Sequence, residues 1–253
     1  MNTQTTADQL DAEKFSTLHS DWWHEDGIFK ALHSMNRVRI PWISDTLSVE
    51  NGKMSSSCKP LSGKRILDVG SGGGILSVPL ARLGARVIGL ETVAESAKAA
   101  TNHLEVSNKI KGENLDIDYV NSSIEDYVAE NAEAKFDALV ASEVVEHVSD
   151  RKFFIENCSK LLPSGSHLFL TTLNKTLASK ILAVYMAENI LGIVPPGIHD
   201  WEKFVSPENL ELQLEKSGFR TKMIHGLCYN PLNNKWSWIR NTSINYAICA
   251  VKV

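Results

Sequence analysis

Lys64–Gly74 reads KRILDVGSGGG, and this run decides the fold. Ile66, Leu67 and Val69 form a short apolar stretch around Asp68, and glycines follow at once. That is a buried strand entering a tight turn. Helical spacing resumes at Ile75, Leu76, Val78, Leu80 and Ala81. Strand, glycine turn and helix together make the opening of a nucleotide-binding α/β unit. Glycine lets the backbone approach a ligand closely, and the helix N-terminus offers unpaired N–H groups.

Working outward, strands and helices alternate. Arg86–Leu90 is a second strand closing at Glu91, Ile117–Val120 a third, Phe136–Ala141 a fourth and His167–Thr172 a fifth. Helical patterns cover Ala94–Asn108 and Lys152–Leu162 between them. The expectation is a mostly parallel sheet with helices on both faces. Ligands in such sheets bind at the carboxyl ends of the strands, where Glu91, Ser142 and Glu143 fall. A closing unit follows: a helix Pro207–Lys216, a strand Phe219–Leu227, a loop and a last strand Ile244–Val251.

Before the core, Asp8 to about Ser44 reads as a helical extension with two apolar clusters. Phe15, Leu18, Trp22 and Trp23 make the first; Ile28, Phe29, Leu32, Met35, Ile40 and Trp42 make the second. Packing as a lid accounts for these aromatics, but less easily for Asn36, Arg37 and Arg39. Asn51–Ser62 is a polar linker, so the chain divides into a lid and linker over 1–62 and a core over 63–253. Residues 174–200 interrupt the rhythm with a strongly apolar stretch, too short to span a bilayer. It reads either as a helix buried under a lid or as an interfacial segment.

Composition narrows the classes. The 253 residues are 43% apolar and 22% charged, those of an ordinary globular protein. A formal charge of -4 gives no basic field for nucleic acid. Cys58, Cys158, Cys228 and Cys249 form no CxxC pair and read as reduced, mostly packed thiols. MNTQTTADQLDAEKF is neither a secretory signal nor an Arg-rich transit peptide.

Gly70, Gly72 and Gly74 satisfy GxGxG, a weak signal alone, and Ile75 stands where the dehydrogenase pattern needs Gly or Ala. Glu91 lies about 20 residues on, where an acid accepts hydrogen bonds from ribose hydroxyls; its plainer reading is a carboxylate beginning a helix. In Glu143-Val144-Val145-Glu146-His147, a helix would put both acids and the imidazole on one face. Such a set suits a divalent cation, although the spacing alone fits a solvated acidic turn more commonly. His199-Asp200 either brings a second polar cluster over this edge or caps the next segment.

These residues carry a resemblance. ILDVGSGGG, the acid ending the second strand and the two late strands around a Gly-Phe resemble class I S-adenosylmethionine-dependent methyltransferases. The finer match is to the ubiquinone-biosynthesis O-methyltransferases. It covers nearly the whole chain, through KFSTLHSDWW, GIFKALHSMNRVRI, LDVGSGGGILSVPLARLGA, SEVVEHV, TTLNKT, VPPGIHDWEKFVSP, GLCYNPLNNKW and NTSINYA. The resemblance implies a Rossmann-like seven-stranded sheet whose last strand is antiparallel. It places S-adenosylmethionine at Arg39, Gly70, Gly72, Glu91 and the backbone near Ser142. It makes Glu143, Glu146 and His147 the ligands of a divalent metal, usually magnesium, and so the catalytic residues. Many relatives have Asp where this chain has Glu91, and Ser71 replaces a frequent Cys; NTSINYA is closer to the mitochondrial branch.

The implied reaction is methylation of catechol-type hydroxyls on polyprenylated ubiquinone precursors; our hypothesis is that the metal activates the hydroxyl and no single side chain is an obligatory base. The implied partners are the polyprenylated catechol, a membrane lipid surface met by Lys175–His199, and other ubiquinone-biosynthesis proteins. The implied place is the matrix side of the mitochondrial inner membrane, with a bacterial cytoplasm as the alternative. Rival readings are a non-catalytic lipid-binding scaffold and a methyltransferase for another small acceptor.

Overall fold

A computed structural model describes residues 5–7, 21–50, 53–54, 57–180 and 201–253. Phe15, Leu18, His199, Asp200 and most of the apolar insertion lie outside the described residues. The core is a sheet whose strands are β1 (Arg65–Val69), β2 (Arg86–Glu91), β3 (Ile117–Asn121), β4 (Ala138–Ser142), β5 (His167–Leu173), β6 (Phe219–Asn230), β7 (Lys235–Ile239) and β8 (Asn245–Lys252). Their spatial order is β3-β2-β1-β4-β5-β8-β6-β7. The first five pair in parallel; β8 runs antiparallel between β5 and β6, and β7 pairs antiparallel with β6. Strand order reverses on the two sides of β1, so the ends of β1 and β4 frame the crevice where such sheets take ligands.

The described sheet has eight strands where seven are expected. The stretch read as a loop before the last strand contains β7, because β6 continues to Asn230 and turns back through Asn234, whose φ is +49°. Trp236 and Trp238 alternate along β7 with exposed Lys235, Ser237 and Ile239, a half-buried edge strand.

Alternation also divides the core. Leu67 and Val69 of β1, Leu168 and Leu170 of β5, and Tyr246 and Ile248 of β8 face one side. There they meet α4 (Ile124–Glu130), α5 (Arg151–Lys160) and α6 (Pro207–Lys216). Ile66, Phe169 and Cys249 face the other side, against α1 (Lys30–Leu47) and α2 (Ser77–Arg82), with Leu104 of α3 (Ala94–Lys111) beside them. Local chemistry sets the helix ends. Ser123, Asp150 and Ser206 cap α4, α5 and α6 by accepting backbone N–H groups, and Gly112 ends α3 in the left-handed region at φ +64°.

The N-terminal helix is integral to this packing. Ile43 is fully buried with Ile66, Trp42 meets Phe169 and Trp238 edge-on, and Trp236 Nε1 donates to Ala31 O at 2.9 Å. Within the stretch read as a linker, Leu61 is fully buried in the same cluster, and Val49–Glu50 pairs with Lys53–Met54. Cys158 and Cys249 are buried free thiols, whereas Cys58 and Cys228 are exposed.

Candidate functional site

The site begins where β1 runs out. Gly70, Gly72 and Gly74 all take positive φ, at 69°, 54° and 86°, which a side chain would disfavour. Gly70 N and Ser71 N donate to Leu90 O, fixing the turn against the end of β2. At that end Glu91 accepts from Gly72 N and from Val93 N, both at 2.8 Å. The acid therefore closes the glycine turn onto the β2–α3 connection. Burial raises its pKa, and the backbone hydrogen bonds act against that rise.

Two tryptophans cover the turn. A Cβ on Gly72 or Gly73 would come within 2.6 or 2.3 Å of Trp22, so only glycine admits the indole there. Trp22 stacks on Phe29 with centroids 3.9 Å apart and donates from Nε1 to Ser96 Oγ at 3.2 Å. Trp23 Nε1 donates to Gly73 O at 2.8 Å, and its ring stacks on His103.

Arg39 reaches the edge from α1. It is 4% exposed, and its Nη1 donates to Ser142 Oγ at 2.8 Å. Its Nε donates to Asn36 Oδ1 at 2.6 Å, while Asn36 Nδ2 donates to Ile75 O at 2.7 Å. Burial lowers the Arg39 pKa to about 10, with Asp68 and Glu143 acting against it, so it stays charged at neutral pH. Asp68, beneath the turn, accepts from Ser77 Oγ.

β4 delivers the acidic stretch, with a different backbone from the helix its spacing implied. Glu143 stands in the left-handed region at φ +58°, and only Val145–His147 forms a single 3₁₀ turn. One helical face for Glu143, Glu146 and His147 is therefore not formed. The seven residues between Ser142 and the helix cap Asp150 leave too little chain for a helix. Threonines from β5 hold the two acids instead. Thr171 Oγ1 donates to Glu143 Oε1 and Thr172 Oγ1 to Glu146 Oε2, each at 2.7 Å. Glu143 N also donates to Thr171 O at 2.9 Å. Burial, then the charge of Glu146, pushes the Glu143 carboxyl up to about 7, against the pull of Thr171, Arg39 and His147.

The edge thus gathers Gly70, Gly72, Glu91, Arg39, Ser142, Glu143 and Glu146, with His147 close enough to act on Glu143. Among the described residues, no three His, Cys, Asp or Glu side chains stand ready to ligate an ion. The donor chemistry nonetheless fits a hard cation: two mutually repelling carboxylates and an imidazole in a poorly solvated site. The sequence places Trp22 in a packing cluster, Asp68 in a strand and Thr171 and Thr172 in TTLNKT, and gives none of them a place in the site. Thr171 was reachable, since the parallel register sets it beside Ser142.

A family model described as "Methyltransferase domain" matches residues 53–222. The chain is 49% identical over 249 residues to the mouse "Ubiquinone biosynthesis O-methyltransferase, mitochondrial", spanning 98% of this chain and 66% of that protein. It is 38% identical to the Rhizobium etli (strain CIAT 652) "Ubiquinone biosynthesis O-methyltransferase", spanning 97% of this chain and 96% of that protein. The chain belongs to the ubiquinone biosynthesis O-methyltransferase family. It spans just under two thirds of the mouse relative's length and nearly all of the bacterial one's. The fold of these family members is shared more widely. A magnesium protoporphyrin IX methyltransferase from Synechocystis PCC 6803, solved with bound SAH, superposes with TM-score 0.65 at 18% identity, covering 96% of this chain and 99% of that one. A SAM-dependent methyltransferase from Aquifex aeolicus gives 0.57 at 17%, covering 96% and 98%. Among the described residues, no helix is long and apolar enough to cross a membrane.

Proposed function

We propose that this protein transfers the methyl group of S-adenosylmethionine to a catechol-type hydroxyl of a polyprenylated ubiquinone precursor, namely 3,4-dihydroxy-5-polyprenylbenzoate or demethylubiquinol. One observation carries the reading. The glycine turn, Glu91 and Arg39 share a single sheet edge with Glu143 and Glu146, in a member of this family. A donor site and an acceptor site then lie side by side.

The donor fits the turn, whose positive-φ glycines carry no side chain of their own and have Trp22 packed over Gly72 and Gly73. S-adenosylmethionine supplies a sulfonium-activated methyl group when bound. Gly70, Gly72, Arg39 and the backbone at Ser142 bind it, and Glu91 accepts its ribose hydroxyls. Glu143, Glu146 and His147 would hold a divalent cation, magnesium being the ion that suits an oxygen-rich set. Such a cation would supply positive charge to favour ionisation of a catechol hydroxyl, whose unperturbed pKa is about 10. The protein's own task is to hold donor and acceptor in line, which alone provides much of the acceleration. No side chain is required as an obligatory base.

The apolar stretch beginning at Leu177 receives the polyprenyl tail from a lipid surface. The protein then works as a peripheral protein of the mitochondrial inner membrane, on the matrix side, with other ubiquinone-biosynthesis proteins. The naming of its mammalian relatives supports the mitochondrial part of this reading.

The test is transfer from labelled S-adenosylmethionine to a prenylated catechol, with chelator and then with magnesium restored. Chelator-sensitive, magnesium-rescued transfer is expected, and Glu143→Ala or Glu146→Ala should lower kcat at least about tenfold. Transfer indifferent to chelator would remove the metal and keep the methyltransferase. Tight S-adenosylmethionine binding without transfer would overturn the acceptor assignment.

A further inference from the structure

TTLNKT begins with two threonines, and the first occupies a singular position. Thr171 Oγ1 lies 2.7 Å from Ser142 Oγ and 2.7 Å from Glu143 Oε1. Ser142 Oγ in turn lies 2.8 Å from Arg39 Nη1. Four side chains from α1, β4 and the residue after it, and β5 therefore form one unbroken line from the donor-side arginine to the acceptor-side carboxylate.

With Glu143 ionised, counting protons fixes the direction of that line. A guanidinium only donates, and an ionised carboxylate only accepts. Each hydroxyl between them has a single proton. Thr171 gives its proton to Glu143, so Ser142 must give its own to Thr171 and accept from Arg39. Every link then points the same way, and such chains polarise cooperatively. Thr171 is 2% exposed, so no solvent competes for its hydroxyl. A buried hydroxyl that loses one partner strands the others at a cost comparable to desolvation.

We propose that Thr171 is a positioning residue for methyl transfer, coupling the orientation of Arg39 on the donor side to that of Glu143 on the acceptor side. The inference rests on the reading of the two sites given above. Its content is that donor affinity depends on a side chain whose hydroxyl is two links removed from Arg39. Thr171 acts only through Ser142 and Glu143.

Thr171→Val keeps the volume and deletes the hydroxyl, whereas Thr171→Ser keeps the hydroxyl and deletes a methyl. S-adenosylmethionine affinity, measured calorimetrically without acceptor, should fall about three- to tenfold in Thr171→Val. Turnover of the prenylated catechol should fall about 10- to 100-fold, mostly in kcat. Thr171→Ser should restore both to within about twofold of the native protein. If Thr171→Val fails to fold, Ser142→Ala breaks the same line one link nearer Arg39 and should weaken donor binding alike. Native affinity in Thr171→Val would overturn the inference. So would equal damage in Thr171→Val and Thr171→Ser, which would assign the effect to the methyl and its packing. An inactive native protein would instead overturn the acceptor assignment, while the calorimetric arm still decides the coupling.

Discussion

Asp68 lies at the centre of the sheet, 2% exposed, with Ser77 Oγ 2.5 Å from its carboxylate. Burial raises its pKa from 3.8 to about 6, against the pull of Ser77 and Arg39 and with a push from Glu91. The folded protein therefore binds a proton more tightly than the unfolded chain does. Stability from this group is complete below about pH 4 and is lost as pH rises through about 6. At neutral pH the ionised carboxylate costs at most about 3 kcal/mol. Asp68→Asn should raise the thermal midpoint at pH 7.5 and leave it nearly unchanged at pH 4. An equal change at both values would show that Asp68 titrates normally. At this scale the sequence was legible where chemistry is local: the glycine turn and Glu91 follow from strand, turn and helix in succession. Arg39 was not, because its contact with Ser142 spans 103 positions and no local period records that. Only the family resemblance brought it to the edge.

Elements were legible in proportion to how deeply they are buried. The parallel strands carry their own apolar signature, and their ends shift by only a residue or two from the expected bounds. β7 carries much less. Its two tryptophans are interleaved with lysine and serine, and they gain their partners from α1, some 205 positions away for Trp236 and Ala31. The acidic stretch after β4 misled for the opposite reason, since a helical period was present in too short a span. The α1–β7 contact makes a prediction of its own. Trp42 bridges Phe169 and Trp238, with centroids 5.0 and 5.5 Å away. Trp42→Ala should cost about 2–3 kcal/mol in urea unfolding, below the usual range for a fully buried tryptophan. Amide exchange should accelerate first over Lys30–Leu47. A native exchange pattern would make the aromatic cluster incidental to how α1 is held.

Across the whole molecule, the two ends of the apolar insertion meet at a neck. Lys175 Nζ donates to Glu202 Oε2 at 2.9 Å, and Trp201 Nε1 donates to Thr176 O at 2.9 Å. Lys175 and Lys180 lie over the Trp201 ring, at 4.9 and 4.6 Å from its centroid. Replacing residues 181–200 with a short Gly-Ser linker changes loop closure by only about 1 kcal/mol. The thermal midpoint should stay within about 4 °C. Vesicle binding and turnover of prenylated catechol should be lost, while a short soluble catechol remains a substrate. A collapse of the midpoint would place the segment in the folding core. The sheet order has a consequence in time as well. β8, the latest of the eight strands to leave the ribosome, fills the gap between β5 and β6. Until residues 245–252 emerge, β5 keeps an open edge and the β6–β7 hairpin has no strand of the sheet to pair with. The nascent protein therefore passes through a stage with two bare strand edges besides the outer edges of β3 and β7. One short segment, Asn245–Lys252, closes both.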